Sequence, residues 1–176
     1  MMRRTHSPLA RETRTEDGIP PPHSEIELET VVQLLAELRP RAASIVIGSS
    51  RDAPSRDTAD AIAQAWVQRG GHMLDVVDWP ERAASWLRQA RRFAAQDPDA
   101  WVVTGQVSGW VQMGRRLVHS TDWNPARTIG TASLATEDLI ALGGVGTFDG
   151  LRGATRDGGT WEVVRTILLH RTDSAP

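Results

Sequence analysis

Cysteine, tyrosine and lysine do not occur in this sequence, and phenylalanine occurs only twice. Without cysteine there is no thiol nucleophile, zinc ribbon, iron–sulfur cluster or disulfide, and the redox compartment leaves no mark on the chain. Without lysine there is no Schiff base, no pyridoxal-phosphate anchor and no P-loop lysine against a nucleotide phosphate. All 20 basic residues are arginine, set against 22 acidic ones, so the formal charge is -2. That balance argues against a nucleic-acid footprint or a polybasic membrane anchor, both of which need concentrated positive charge. Arginine in place of lysine, with abundant alanine, is also what GC-rich coding produces. No apolar run reaches the roughly 20 residues of a membrane helix. Nor does the start carry the apolar stretch of about 7 to 15 residues that a secretory signal places behind its positive charges. The expectation is a cytoplasmic protein with no membrane insertion.

What is present, 40% hydrophobic and 24% charged residues in a chain of 176, is the composition of one globular domain. Residues 1–23 carry Arg3, Arg4, Arg11 and Arg14 and end in Pro20-Pro21-Pro22-His23, which reads as a disordered leader. Residues 24–171 read as a single α/β domain and 172–176 as a tail. Ser24 with Glu27 three residues on forms a capping box, and Leu28, Val31, Leu35 and Leu38 then share a helix face. Ala43 to Gly48 is a short β-branched run suited to a strand buried on both faces. A helix bearing Ala59, Ile62, Ala63 and Trp66 follows and ends at Gly70-Gly71.

The next strand is His72 to Asp78. Pro80 is placed as the first turn of a helix whose stripe is Ala83, Trp86, Leu87, Ala90 and Ala94. Ala100 to Thr104 is a third strand. Val107, Trp110, Val111, Gly114, Leu117 and Val118 form another stripe. Arg127 to Thr131 is a fourth strand, and Thr136 caps a short helix. Trp161 to His170 predicts one more strand, antiparallel at an edge. Strand and helix recur every 26 to 29 residues or so, the rhythm of right-handed βαβ units. The fold class expected is therefore α/β, a three-layer Rossmann-like or flavodoxin-like sandwich around a mainly parallel sheet of about five strands.

In such a sheet a ligand sits beyond the carboxyl ends of the strands. Ser49, Ser50, Arg51 and Asp52 there offer hydroxyls, backbone N–H groups and a guanidinium; their plain reading is a polar loop with a helix cap. Gln106 and Ser108, in Gly105-Gln106-Val107-Ser108-Gly109, allow close backbone approach, and the same segment misses a nucleophile elbow by one position. Gly143-Gly144-Val145-Gly146 follows a helix and so fails as a dinucleotide loop. The histidines are scattered without ligand spacing, and no metal or cofactor is expected. Asp78 reads as a helix cap rather than half of a carboxylate pair with Asp75. Of the seven tryptophans, Trp66, Trp86 and Trp110 read as core, while any of Trp79, Trp101, Trp123 and Trp161 could cover a pocket.

The string from Glu29 to Thr155 resembles one lobe of the type I periplasmic binding proteins, the branched-chain amino-acid class of ABC-transporter solute receptors. The features that carry the likeness are Ser44-Ile45-Val46-Ile47-Gly48 after a helix, Gly70-Gly71 before Met73 to Val77, and Pro98-Asp99-Ala100-Trp101-Val102-Val103. To these are added Thr128-Ile129-Gly130-Thr131-Ala132-Ser133-Leu134, Asp138 to Gly144, and Phe148-Asp149-Gly150-Leu151-Arg152-Gly153. The resemblance implies a non-catalytic solute-binding domain, half of a two-lobed clamp, with ligand contacts at Ser49, Ser50, Arg51, Asp52, Gln106, Ser108, Thr131 and Ser133. It implies an amino-acid-like ligand, and a periplasmic or cell-surface setting if the chain is a fragment. A lone lobe also suggests a homodimer that covers the vacant face. Two readings stay open beside it: a flavodoxin-like or nucleoside-processing enzyme domain, and an interaction domain without a small ligand.

Overall fold

The computed structural model describes residues 18–172; most of the expected leader and tail lies outside the described residues. The chain first forms α1 (Glu25–Ala36) and β1 (Ser44–Ser50), then α2 (Ala53–Gln68) and β2 (His72–Trp79). It continues through α3 (Leu87–Ala94), β3 (Ala100–Thr104), α4 (Val107–Ser120), β4 (Thr128–Gly130) and α5 (Glu137–Gly143). It closes with β5 (Arg152–Ala154), β6 (Thr160–Val164) and β7 (Ile167–Arg171). The capping box is formed: Ser24 Oγ accepts from Glu27 N at 3.1 Å, and Ser24 N donates to the Glu27 carboxylate at 3.4 Å.

Among the described residues, seven strands make one sheet in the order β2-β1-β3-β4-β5-β6-β7, two more than the spacing predicted. The first five are mutually parallel, β6 runs antiparallel to β5, and β7 runs antiparallel to β6. Helices α1 and α2 pack on one face over Ile45, Ile47, Val102 and Ile129. On the other face α3, α4 and α5 enclose Trp79, Phe93, Trp110, Trp123, Phe148 and Trp161. β1 and β3, buried along nearly their whole length, read as continuous apolar runs because both of their faces are covered.

Several expectations are corrected. The predicted edge strand is a hairpin, β6 and β7, whose turn at Arg165 has φ 58° and is held by Arg165 N donating to Asp149 at 2.8 Å. The helix expected from Pro80 begins only at Leu87. In the intervening segment Trp86 Nε1 donates to Pro80 O at 3.0 Å, and Glu81 is drawn across to α4, which leaves no turn of helix. Asp78 caps nothing; it is the penultimate residue of β2 and pairs with Arg51 at 2.9 Å. Val118, placed on the buried stripe of α4, is 47% exposed. Trp79, Trp101, Trp123 and Trp161 are all buried, as are Trp66 and Trp110, whereas Trp86 is only partly so.

The entrances of β1 and β3 are joined by one carboxylate. Asp99 Oδ2 accepts from Ala43 N at 2.9 Å, Ser44 N at 2.8 Å and Ser44 Oγ at 3.0 Å. The Ala43 and Ser44 amides, with smaller help from the Ser44 hydroxyl and Arg127, hold its carboxyl below the usual carboxylate range. Because the folded value is depressed, this contribution is fully present above the unfolded value of about 3.9 and is lost as pH falls through the folded value. Asp99→Asn is expected to be less stable at neutral pH and to show a flatter acid limb. Urea unfolding from neutral to strongly acid pH checks this, and an unchanged pH slope would refute it.

Candidate functional site

Three strands deliver their carboxyl ends to one place. β1 ends in Ser49-Ser50, two residues further than the sequence suggested, and both hydroxyl-bearing residues are buried. β3 ends at Thr104 and β4 at Gly130, followed by Thr131 and a short 3-10 turn, Ala132–Leu134. Gly105 has φ 142°, and a Cβ there would fall 2.2 Å from Ser50 Oγ, so only glycine lets the β1 and β3 loops close on each other.

The expected site residues separate into groups. Ser50 Oγ accepts from Gln106 N at 2.9 Å, and Gln106 Nε2 donates to Asp52 at 3.3 Å. Asp52 caps α2 by accepting from Ser55 N at 2.9 Å and Ser55 Oγ at 2.8 Å. Thr131 and Ser133 share a hydrogen bond of 3.1 Å, and Ser133 Oγ accepts from Gly105 N at 3.4 Å. These five residues therefore converge, largely by bonding one another. Arg51 turns to the β2 edge and Asp78. Ser108 donates to Glu81 at 2.8 Å, and the same carboxylate accepts from Gly109 N at 2.6 Å. Ser49 lines a separate cleft with Arg56, Asp60 and Asp78.

Over Thr131 and Ser133 lies a cavity of about 110 Å³ that sequence reasoning missed in part. Its further lining comes from Glu27, Thr58, Thr104 and Arg156, with Pro20, Pro21 and His23 as an outer wall. Glu27, only 3% exposed, sends Oε1 to accept from Ala132 N at 2.8 Å, tying the first turn of α1 to the end of β4. A capping-box carboxylate has a second oxygen free for such a task, and that was the available signal. Thr58 Oγ1 donates to Pro54 O at 2.8 Å, so its contact of 3.0 Å with His23 Nδ1 requires a proton on that nitrogen. Arg156 Nη1 donates to Pro22 O at 2.6 Å, and Ser24 Oγ donates to Arg156 O at 2.6 Å. Residues 20–23 thus form a strap held across the strand ends.

The cavity combines hydroxyls, one carboxylate and one guanidinium, a set suited to holding a small polar molecule by hydrogen bonds. Among the described residues no group of three or more histidine, aspartate or glutamate side chains is placed to bind a metal. No helix among them is long and apolar enough to cross a membrane.

No protein-family model matches the chain, and no curated protein sequence does. Solved structures do. An extracellular ligand-binding receptor from Rhodopseudomonas palustris superposes with a TM-score of 0.62 at 22% identity, over 72% of this chain and 34% of its own. A leucine-binding protein from Thermotoga maritima gives 0.62 at 16% identity, over 73% and 37%. A type 1 periplasmic binding protein from Bordetella pertussis gives 0.62 at 14% identity, over 72% and 32%. The chain spans about a third of the length of these structures, and its fold is that of one lobe of a type I periplasmic binding protein.

Proposed function

We propose that residues 24–171 form a non-catalytic domain that binds a small, polar, amino-acid-like solute at the carboxyl ends of β1, β3 and β4. The observation that carries this reading is the convergence of Glu27, Thr58, Thr104, Thr131, Ser133 and Arg156 on one cavity at that edge. Carboxylate and guanidinium would face the ammonium and carboxylate of such a solute, and the hydroxyls its remaining polar atoms. The names of the structurally similar proteins, receptors and binding proteins rather than enzymes, support it. They also support a periplasmic or cell-surface setting if the lobe belongs to a longer receptor. Self-association is part of the reading, since Val164 and Ile167 leave apolar surface exposed at the turn of the β6–β7 hairpin.

A single lobe leaves a ligand wet on one side, whereas small-molecule sites bury about 70 to 90% of their occupant. Each contact there competes with water and nets about 0.5 to 1.5 kcal/mol. The expected result is millimolar binding or none from a monomer. Calorimetry against an amino-acid and nucleoside panel, with sedimentation fixing the oligomeric state, checks this. Micromolar binding by a proven monomer would overturn the half-site picture, and turnover of any panel member would favour the enzyme reading.

A further inference from the structure

α1 covers β4 and β5, but beyond them no helix among the described residues covers the same face of β6 and β7. Trp161 and Val163 are packed in the core of the opposite face, so the alternation along β6 turns Thr160 and Glu162 toward the uncovered side. Between α1 and the hairpin runs a groove of about 310 Å³, which shares no lining residue with the cavity at the strand ends. Its volume is near the lower limit of small-molecule sites, about 300 to 1,000 Å³.

Arg152 of β5 lines this groove and is directly opposite Glu162 in the β5–β6 register. Opposed charges at such a position normally pair. Here they do not: Glu162 Oε2 lies 3.8 Å from Arg171 Nη2 instead, and Arg152 makes no ion pair with a described residue. Its Nε is buried and has no hydrogen-bond partner among the described residues. A guanidinium that has lost part of its hydration without gaining a counterion is stabilised by any anion that reaches its remaining N–H groups.

We propose that this groove binds a small organic monocarboxylate, its head on the guanidinium of Arg152 and its apolar body against Leu34 and Leu169. The planar fork of arginine matches a carboxylate bidentately. Leu34 and Leu169 supply an apolar wall. Glu37, Glu162 and Arg171 also line the groove, and the two carboxylates repel a dianion more strongly than a monoanion, which disfavours phosphate.

The test is an NMR titration of the full chain with sodium butyrate and sodium benzoate, following the Arg152 side-chain Nε–H and the Leu169 methyl groups. Inorganic phosphate and butylammonium are titrated in parallel. Saturable shifts at both residues with the carboxylates, in the millimolar range, are expected. Arg152→Gln should weaken binding by roughly tenfold or more, while Arg116→Gln, on an exposed stretch of α4, should not. Leu169→Glu gives an independent check if Arg152→Gln fails to fold, because the added carboxylate should abolish binding. Absence of saturation, equal affinity for phosphate, or unchanged affinity in both groove variants would overturn the assignment.

Discussion

Replacing Trp110 with alanine is expected to lower the unfolding free energy by about 3 to 5 kcal/mol, the range of large aromatic deletions in well-packed cores. Trp110 is fully buried on α4 and touches four other aromatic rings. Its centroid lies 5.6 Å from those of Trp79, Trp123 and Phe148 and 6.3 Å from that of Phe93. Deleting it removes transfer energy, leaves a hole bordered by rigid rings, and breaks the edge and tilted contacts that add to area burial. Trp110→Phe should cost much less, since Nε1 has no partner among the described residues and its loss unpairs nothing. Urea unfolding should show a lower midpoint at an unchanged slope. A loss of less than about 1 kcal/mol would mean that the cluster relaxes around the gap.

Gly153→Ala should be the other severe substitution, for a different reason. A Cβ at Gly153 would lie 2.1 Å from the carbonyl oxygen of Gly130 and 2.6 Å from the indole of Trp161. The first obstacle is backbone of the neighbouring strand and cannot swing aside. β4 and β5 are joined over only two register pairs, Ile129 with Arg152 and Gly130 with Gly153. The methyl group therefore strains the short pairing through which β5, and beyond it the β6–β7 hairpin, joins the rest of the sheet. A loss of about 3 kcal/mol is expected, at the upper end of ordinary overpacking. Amide exchange should accelerate most in β6 and β7, and uniform acceleration across all strands would argue against a local failure at this junction.

Local patterns carried most of the fold into the sequence. The capping box at Ser24, the apolar stripe of α2 and the buried runs of β1 and β3 each depend on neighbours a few residues away. Pro80 misled because a proline followed by helically spaced apolar residues imitates a helix start, while the decisive partner of Glu81 is at positions 108 and 109. The β6–β7 turn was hidden because Arg165 adopts a positive φ without the glycine or asparagine that normally announces it. Of the expected contact residues only Thr131 and Ser133 line the cavity at the strand ends, and their place directly after β4 is what the sequence made visible; Ser50, Asp52 and Gln106 bond one another beside it. Glu27 and Arg156 reach the same cavity from a helix start and a turn more than a hundred residues apart, which no spacing rule connects.

The strap across the strand ends gives the cavity a tethered competitor. At about 110 Å³ the space beneath Pro20 and Pro21 is smaller than the roughly 300 Å³ from which ligand pockets begin. A solute of amino-acid size that is to reach Thr131 and Ser133 must displace the prolines, and being covalently attached they compete at a fixed effective concentration that dilution does not lower. The affinity observed is then the intrinsic one multiplied by the fraction of molecules whose strap is open. Replacing His23, which would break its hydrogen bond to Thr58 while leaving Thr58 and Arg156 in place, would raise that fraction.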